Sequence, residues 1–302
     1  VTAGIELAGV LLAGGDTTMA RALLLESLGE APVALREQAA TPLLDLGDND
    51  RELTLELARI LDLAGDGRRA LSGYDRVAAL YANSTDGMDV PLSMRVERAR
   101  LMGTVEGRQE EAIEEFRAIR EATTNDRVGG RNLELWAQLR RRQGLDEHVR
   151  TLRRWLIEEH PSSSEAVEVA WSQANQADSQ GALDSALRQY ASLSDNARTH
   201  ARAGEARMRS GQIHLGRSDI ESAVEIFEGY LEDFPEGRRW QEASYWAGRT
   251  RMELGDTIGA EEHIREIMTR DPVSYYAVMG SDLLGVSYTI NVSTADATTL
   301  PS

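Results

Sequence analysis

No cysteine occurs in the 302 residues, so the chain has no disulfide framework, thiolate metal site or cysteine nucleophile. That absence suits an oxidising envelope space without selecting it. Aromatic residues reach only 5% and prolines only 7. Basic residues are also in deficit, 33 Lys and Arg against 50 Asp and Glu, for a net charge of -17. A phosphate-backbone footprint needs a concentrated basic face, so nucleic acid is not an expected partner. Long apolar runs are missing as well. The most apolar early stretch, Leu7 to Ala13, is too short to span a bilayer and has Glu6 rather than a basic segment before it, so no membrane span is expected. The chain begins at Val1 without Met, which reads as a processed or trimmed product whose targeting segment has already been removed.

What remains, 41% hydrophobic and 27% charged residues, is the composition of an Ala-, Leu-, Glu- and Arg-rich helical protein. Its main signal is an internal repeat. A small turn residue is followed five positions later by Ala, and four after that by a large apolar residue. The members are Gly15/Ala20/Leu24, Gly65/Ala70/Tyr74, Gly107/Ala112/Phe116, Gly181/Ala186/Tyr190, Ser218/Ala223/Phe227 and Gly255/Ala260/Ile264. Gly144/Val149/Arg153 is a degenerate member. From Gly107 the turns fall at 107, 144, 181, 218 and 255, a constant step of 37. Pro161, Pro235 and Pro272 each lie seventeen residues past a turn, where a helix must stop. The first two steps are 50 and 42, implying insertions near 31–47 and 83–91.

Each unit thus supplies a turn between two helices, a small Ala where they cross closely, and a bulky side chain to fill the groove. In the last full unit, Ala243, Trp246, Ala247, Thr250 and Leu254 form the expected stripe on the first helix, and Ala260, Ile264, Ile267 and Met268 on the second. The pattern predicts an all-α fold: an α-solenoid of about seven helix pairs over 1–285, with 286–302 a Ser/Thr-rich tail or linker. The spacings resemble the tetratricopeptide repeat family in its longer, 37-residue form. That resemblance implies a scaffold that can bind a protein segment in a concave groove, and it implies no chemistry.

After the last repeat come Asp271, Pro272, Val273, Ser274, Tyr275, Tyr276 and Ala277, then Leu283, Leu284 and Gly285. This string, with Tyr245-Trp246-Ala247-Gly248-Arg249 before it, resembles the segment that closes the helical superhelix of soluble lytic murein transglycosylases. The resemblance implies a periplasmic or envelope protein whose helical region positions peptidoglycan or a following catalytic domain. In that family the catalytic acid is a Glu in a Glu-Ser segment followed by Gly-Leu-Met-Gln. The second stretch is missing here, and Glu26-Ser27 and Glu221-Ser222 lie inside repeat helices, so neither receives the role. Read from the residues, Asp271, Pro272, Ser274, Tyr275, Tyr276 and Gly285 are packing elements: Asp271 and Pro272 start a new helix, and the tyrosines cover the open end of the stack.

Candidate contact residues are few. Eight arginines between Arg127 and Arg154 face three acids. Arg140, Arg141, Arg150 and Arg154 could receive an anionic partner, although a solvated helix face explains the same run. Trp136, Trp171 and Trp246 share a helix phase expected for core, which leaves Trp155 and Trp240 as candidates for exposed contact. The five histidines lack metal-ligand spacing. Asp48-Asn49-Asp50 lacks the offsets of a calcium loop and reads as a cap for a helix starting near Arg51. No phosphate loop, dinucleotide fingerprint or nucleophile elbow is present. No cofactor, metal or catalytic residue is therefore expected. The two functional readings are a non-catalytic region of a transglycosylase-like envelope protein and a stand-alone adaptor for a protein segment.

Overall fold

The computed structural model describes residues 1–47, 50–85 and 87–287, the side chains of Val33 and Ala34 excepted. It is 78% helical, without a strand among the described residues. The fold is an all-α, α-solenoid arrangement of tetratricopeptide-like helix pairs, in two compact units, Val1–His160 and the residues from Pro161 onward.

The first unit holds α1 (Thr2–Ala13), α2 (Thr17–Glu30), α3 (Val33–Leu46), α4 (Arg51–Leu63), α5 (Gly67–Ala82), α6 (Leu92–Met102), α7 (Gln109–Ala122), α8 (Asp126–Arg142) and α9 (Asp146–Glu159). The second holds α10 (Ser164–Ser179), α11 (Leu183–Asn196), α12 (Ala201–Gly216), α13 (Ile220–Asp233), α14 (Trp240–Glu253), α15 (Thr257–Arg270) and α16 (Tyr275–Leu284). Pairs form across the turn residues: α1/α2, α4/α5, α6/α7 and α8/α9, then α10/α11, α12/α13 and α14/α15.

The turn chemistry is local. The six turn glycines take φ between 73° and 89°, and Ser218 takes 59°, the left-handed conformation that ends a helix. Directly after four of these turns an Asp caps the second helix. Asp16, Asp66, Asp219 and Asp256 accept from the backbone N–H of Met19, Arg69, Ser222 and Gly259 at 3.0, 3.1, 3.3 and 2.9 Å, satisfying a donor the helix leaves free. Asp50 caps α4 in the same way through Glu52 and Leu53. At the far ends, α9, α13 and α15 close on His160, Phe234 and Asp271, each directly before a proline.

Packing follows the repeat. Ala20, Ala70, Ala112, Ala186, Ala223 and Ala260 are fully buried, and Leu24, Tyr74, Phe116, Tyr190, Phe227 and Ile264 are at most 2% exposed. Each such bulky side chain contributes on the order of 2 kcal/mol by leaving water, and it can do so only against a neighbouring helix. In α12/α13 and α14/α15 the facing positions are glycines. Phe227 lies over Gly211, and Ile264 over Gly248.

The two long steps differ in kind. Residues 33–46 form the helix α3, which packs on α2 and α4 through Ala39, Ala40, Leu43 and Leu44. The second lies between α5 and α6, whose ends are Ala82 and Leu92. Leu254 departs from the expected core stripe. It is the residue ending α14 and is 44% exposed, because the chain turns away there.

Candidate functional site

In the second unit the first helices of successive pairs, α10, α12 and α14, are joined by side-chain bridges. Arg202 reaches back to Glu168 through Nε and Nη2 at 2.9 and 3.1 Å. Arg209 holds Asp178 with two of its guanidinium nitrogens, Nε on Oδ2 and Nη2 on Oδ1, the latter at 2.9 Å. Arg239 pairs with Glu205 at 2.8 Å, and Gln212 donates to Glu242 at 3.2 Å. The Tyr190 hydroxyl reaches Asn175 Oδ1 and Asp178 Oδ2, both at 3.3 Å. Arg209 draws the Asp178 carboxyl below its ordinary value of 3.8, with Tyr190 helping. Burial first, and then the Asp178 charge, pushes Tyr190 up to about 12.

Helices α10 and α12 frame a cleft of about 570 Å³ lined by Glu168, Trp171, Ser172, Asn175, Gln176, Asp178, Ser179 and Arg209. Its volume is within the range of ligand pockets. Ser172, Asn175, Gln176 and Ser179 are exposed, so amide and hydroxyl groups that can both donate and accept line a charged frame already internally paired.

Three solved structures match the chain at low identity. A TPR protein with an unusual peptide-binding site, YrrB, is 17% identical, covering 66% of this chain and 94% of its own, with a TM-score of 0.33. PilW, a widely conserved type IV pilus biogenesis factor, is 11% identical over 92% of this chain and 96% of its own, TM-score 0.32. A tetratricopeptide repeat protein from Parabacteroides merdae is 15% identical over 94% of this chain and 97% of its own, TM-score 0.33. No family model and no curated protein matches the chain. At such TM-scores the likenesses carry no argument, and the fold assignment rests on the helix pairs themselves.

Among the sequence-predicted contact residues, Arg140 is half-buried and donates to Gln143 at 3.0 Å. Arg141 and Arg154 are exposed, and Arg150 pairs with Glu147 in its own helix. Trp155 and Trp240 are half-buried, and each has a guanidinium on its ring, Arg120 at 3.7 Å and Arg270 at 4.1 Å. Arg120 is held there by a two-pronged bridge to Glu159 and Arg270 by Glu236 and Glu266. Arg202 and Arg249 cover Trp171 and Trp246 likewise, at 5.1 and 5.2 Å. Such a stack occupies the ring face a sugar would use.

The closing segment needs correction. Ser274, rather than Asp271 with Pro272, caps α16, accepting from Ala277 N–H at 3.1 Å. Asp271 ends α15 and takes a hydrogen bond from Gln241. Pro272 is exposed between them, and Gly285 ends α16 at φ 66°. Tyr276 packs on Tyr245 with ring centroids 5.6 Å apart. Tyr275 is 69% exposed, because adjacent helical positions point about 100° apart and only one meets α14. The expected tail at 286–302 lies from residue 288 onward outside the described residues, as do Asp48 and Asn49 of the Asp-Asn-Asp segment.

The bridging arginines are what the sequence reading missed. Arg131–Glu97, Arg202–Glu168 and Arg239–Glu205 are each 34 residues apart, three short of the repeat period. That offset was visible in the sequence. Carboxylates whose titration is displaced are displaced downward, including Asp184 by Arg217 and Asp219 by His214, the opposite of what a general acid needs. Among the described residues no group of three or more His, Asp or Glu is placed to hold a metal ion, and no helix is long and apolar enough to cross a membrane.

Proposed function

We propose that the protein is a protein-interaction scaffold that holds an extended protein segment across the first-helix face of its second unit. The observation that carries this reading is the cleft between α10 and α12, where exposed Ser172, Asn175, Gln176 and Ser179 surround the Arg209–Asp178 bridge. An extended segment brings a row of backbone donors and acceptors, and side-chain amides match both without choosing a charge. The paired frame keeps α10 and α12 at fixed spacing, so little ordering remains to oppose binding. The test is to select peptides on the wild-type chain from a displayed random library, then measure them on an Asn175→Ala/Gln176→Ala variant. Peptides that bind both equally refute the assignment of this face.

The finer reading, a region of a lytic transglycosylase-like envelope protein that positions peptidoglycan or a catalytic domain, is supported by one arrangement. The two segments that carry the resemblance touch each other through Tyr245 and Tyr276. On this reading the compartment is the bacterial periplasm or envelope. Sedimentation with purified sacculi tests it, and a chain that stays entirely in the supernatant removes it in favour of the adaptor.

A further inference from the structure

The charged side chains that line the cleft between α10 and α12 are Glu168, Asp178 and Arg209, and each already has its counter-charge. Arg202 takes one oxygen of Glu168 with Nε and the other with Nη2. Arg209 takes both oxygens of Asp178 in the same way, and its Nη1 reaches Gln212 Oε1 at 3.4 Å. Two acids thus meet two guanidinium groups, in a chain whose net charge is -17. These partners are open to solvent to different degrees. The Asp178 side chain is 7% exposed and Arg209 43%, whereas Arg202 is 37% and Glu168 52% exposed. Arg209 and Glu168 are therefore within reach of a ligand, but neither has a charge to offer it.

The hydrogen-bonding capacity left over is uncharged. From Val169 to Ala177, between the two paired acids, α10 carries no charged residue, although 27% of the chain is charged. Ser172, Asn175 and Gln176 of this stretch are exposed on the cleft. Among the described residues no hydrogen bond occupies the side chain of Ser172 or Gln176, and Asn175 uses only its Oδ1, toward the Tyr190 hydroxyl. Half-buried Trp171 adds an apolar surface beside them. An amide offers one kind of group for each half of a peptide bond. A charged side chain entering the same space gives up its water with no free counter-charge to meet it, which is unfavourable.

We infer that the α10–α12 cleft selects an uncharged polar segment of its protein partner and rejects Asp, Glu, Lys or Arg at the residues it encloses. This rests on the scaffold reading proposed above and adds the chemistry of the partner. The two arginine–carboxylate pairs set the preference, so breaking one of them re-aims it. Without the Asp178 carboxylate, Arg209 is an unpaired cation on the cleft and takes an acidic residue. Without the Arg202 guanidinium, Glu168 is an unpaired anion and takes a basic one.

The test uses the full chain and the peptide most enriched on it from a displayed random library, made with acetylated and amidated ends and a fluorescent label. Single Glu and single Lys substitutions are placed along the peptide, and binding is followed by anisotropy. The enriched peptide has an uncharged core, and either substitution within that core weakens it by about tenfold. Raising the salt tenfold changes the affinity of the uncharged peptide by less than about twofold, because no ligand charge is there to screen. On Asp178→Asn, close to the parent in shape, the Glu peptide gains about tenfold over its binding to the parent chain. On Arg202→Gln the Lys peptide gains about threefold, less because that pair is more exposed; this variant carries the test should Asp178→Asn fail to fold. A core that needs a Glu or Lys for binding, with binding lost in Asn175→Ala/Gln176→Ala, overturns the inference and leaves the scaffold reading standing. So does a Glu peptide that binds folded Asp178→Asn no better than the parent. Binding that Asn175→Ala/Gln176→Ala leaves intact, or no enriched peptide at all, overturns both.

Discussion

Phe227 lies so close over Gly211 that a Cβ at 211 would sit 2.5 Å from the ring. Both residues are buried, Phe227 fully, so neither can move aside without opening the α12/α13 contact. Overpacking costs about 1–3 kcal/mol, and the better helix propensity of Ala returns at most about 1. Gly211→Ala is therefore destabilising by about 1–2 kcal/mol. Gly216, five residues on in the same helix, has nothing within 4 Å of such a Cβ, so Gly216→Ala is stabilising by about 0.5–1 kcal/mol. Thermal melts of the two variants give shifts of opposite sign; shifts of the same sign would mean that the crossing is misplaced.

Ser218 is the non-glycine member of the turn grid, at φ 59°. A side chain in that conformation costs about 1–2 kcal/mol, partly offset because Gly has more freedom to lose on folding. Ser218→Gly is thus stabilising by about 0.5–1 kcal/mol, and Gly181→Ala, at φ 75°, is destabilising by about as much. Chemical denaturation of both variants checks the pair.

Acidification weakens the Arg209–Asp178 bridge. Asp178 is held below its ordinary 3.8, so its contribution is complete above that value and is lost as pH falls through the lower folded value. Tyr190, raised to about 12, acts on the other side: its contribution is complete below its ordinary value of 10 and is lost as pH rises through about 12. Melting temperatures between pH 6 and pH 2.5 should fall more steeply for the parent than for Asp178→Asn. Equal slopes would show that the bridge does not couple folding to protons.

Tyr275 and Tyr276 separate in the same way. Tyr276→Ala removes the ring that packs on Tyr245 and costs about 2–3 kcal/mol, whereas Tyr275→Ala, at 69% exposure, costs under about 0.5 kcal/mol. Equal losses in the two melts would refute the observed register of α16.

Much of the fold was legible because it is written in short-range rules. A left-handed turn, an Asp beside it, an Ala five residues on and a proline at the far end each act within one helix or one connection. The step of 37 then carries those rules down the chain. The insertion near 31–47 carried no assigned element in the sequence, and α3 forms there with Pro42 inside it, anchored by Ala39, Ala40, Leu43 and Leu44. There the packing of an apolar face outweighs local propensity.

The candidate sites were less legible. The sequence picked out Arg140 and Trp155, and both line one cleft, but it offered them as parts of an exposed surface. Whether an aromatic face is open or covered depends on which arginine crosses from the adjacent helix, as Arg120 does over Trp155 and Arg270 over Trp240.

The sequence by itself determined the all-α class, the turn positions, the crossing alanines and their buried partners, because steric and capping rules act over a few residues. Only the tertiary structure decided that Tyr276 packs while Tyr275 is exposed, and that guanidinium groups cover four tryptophans. Those outcomes depend on contacts between residues up to 39 positions apart, as in Arg120–Glu159, where the orientation of one helix against the next selects the partner and composition does not.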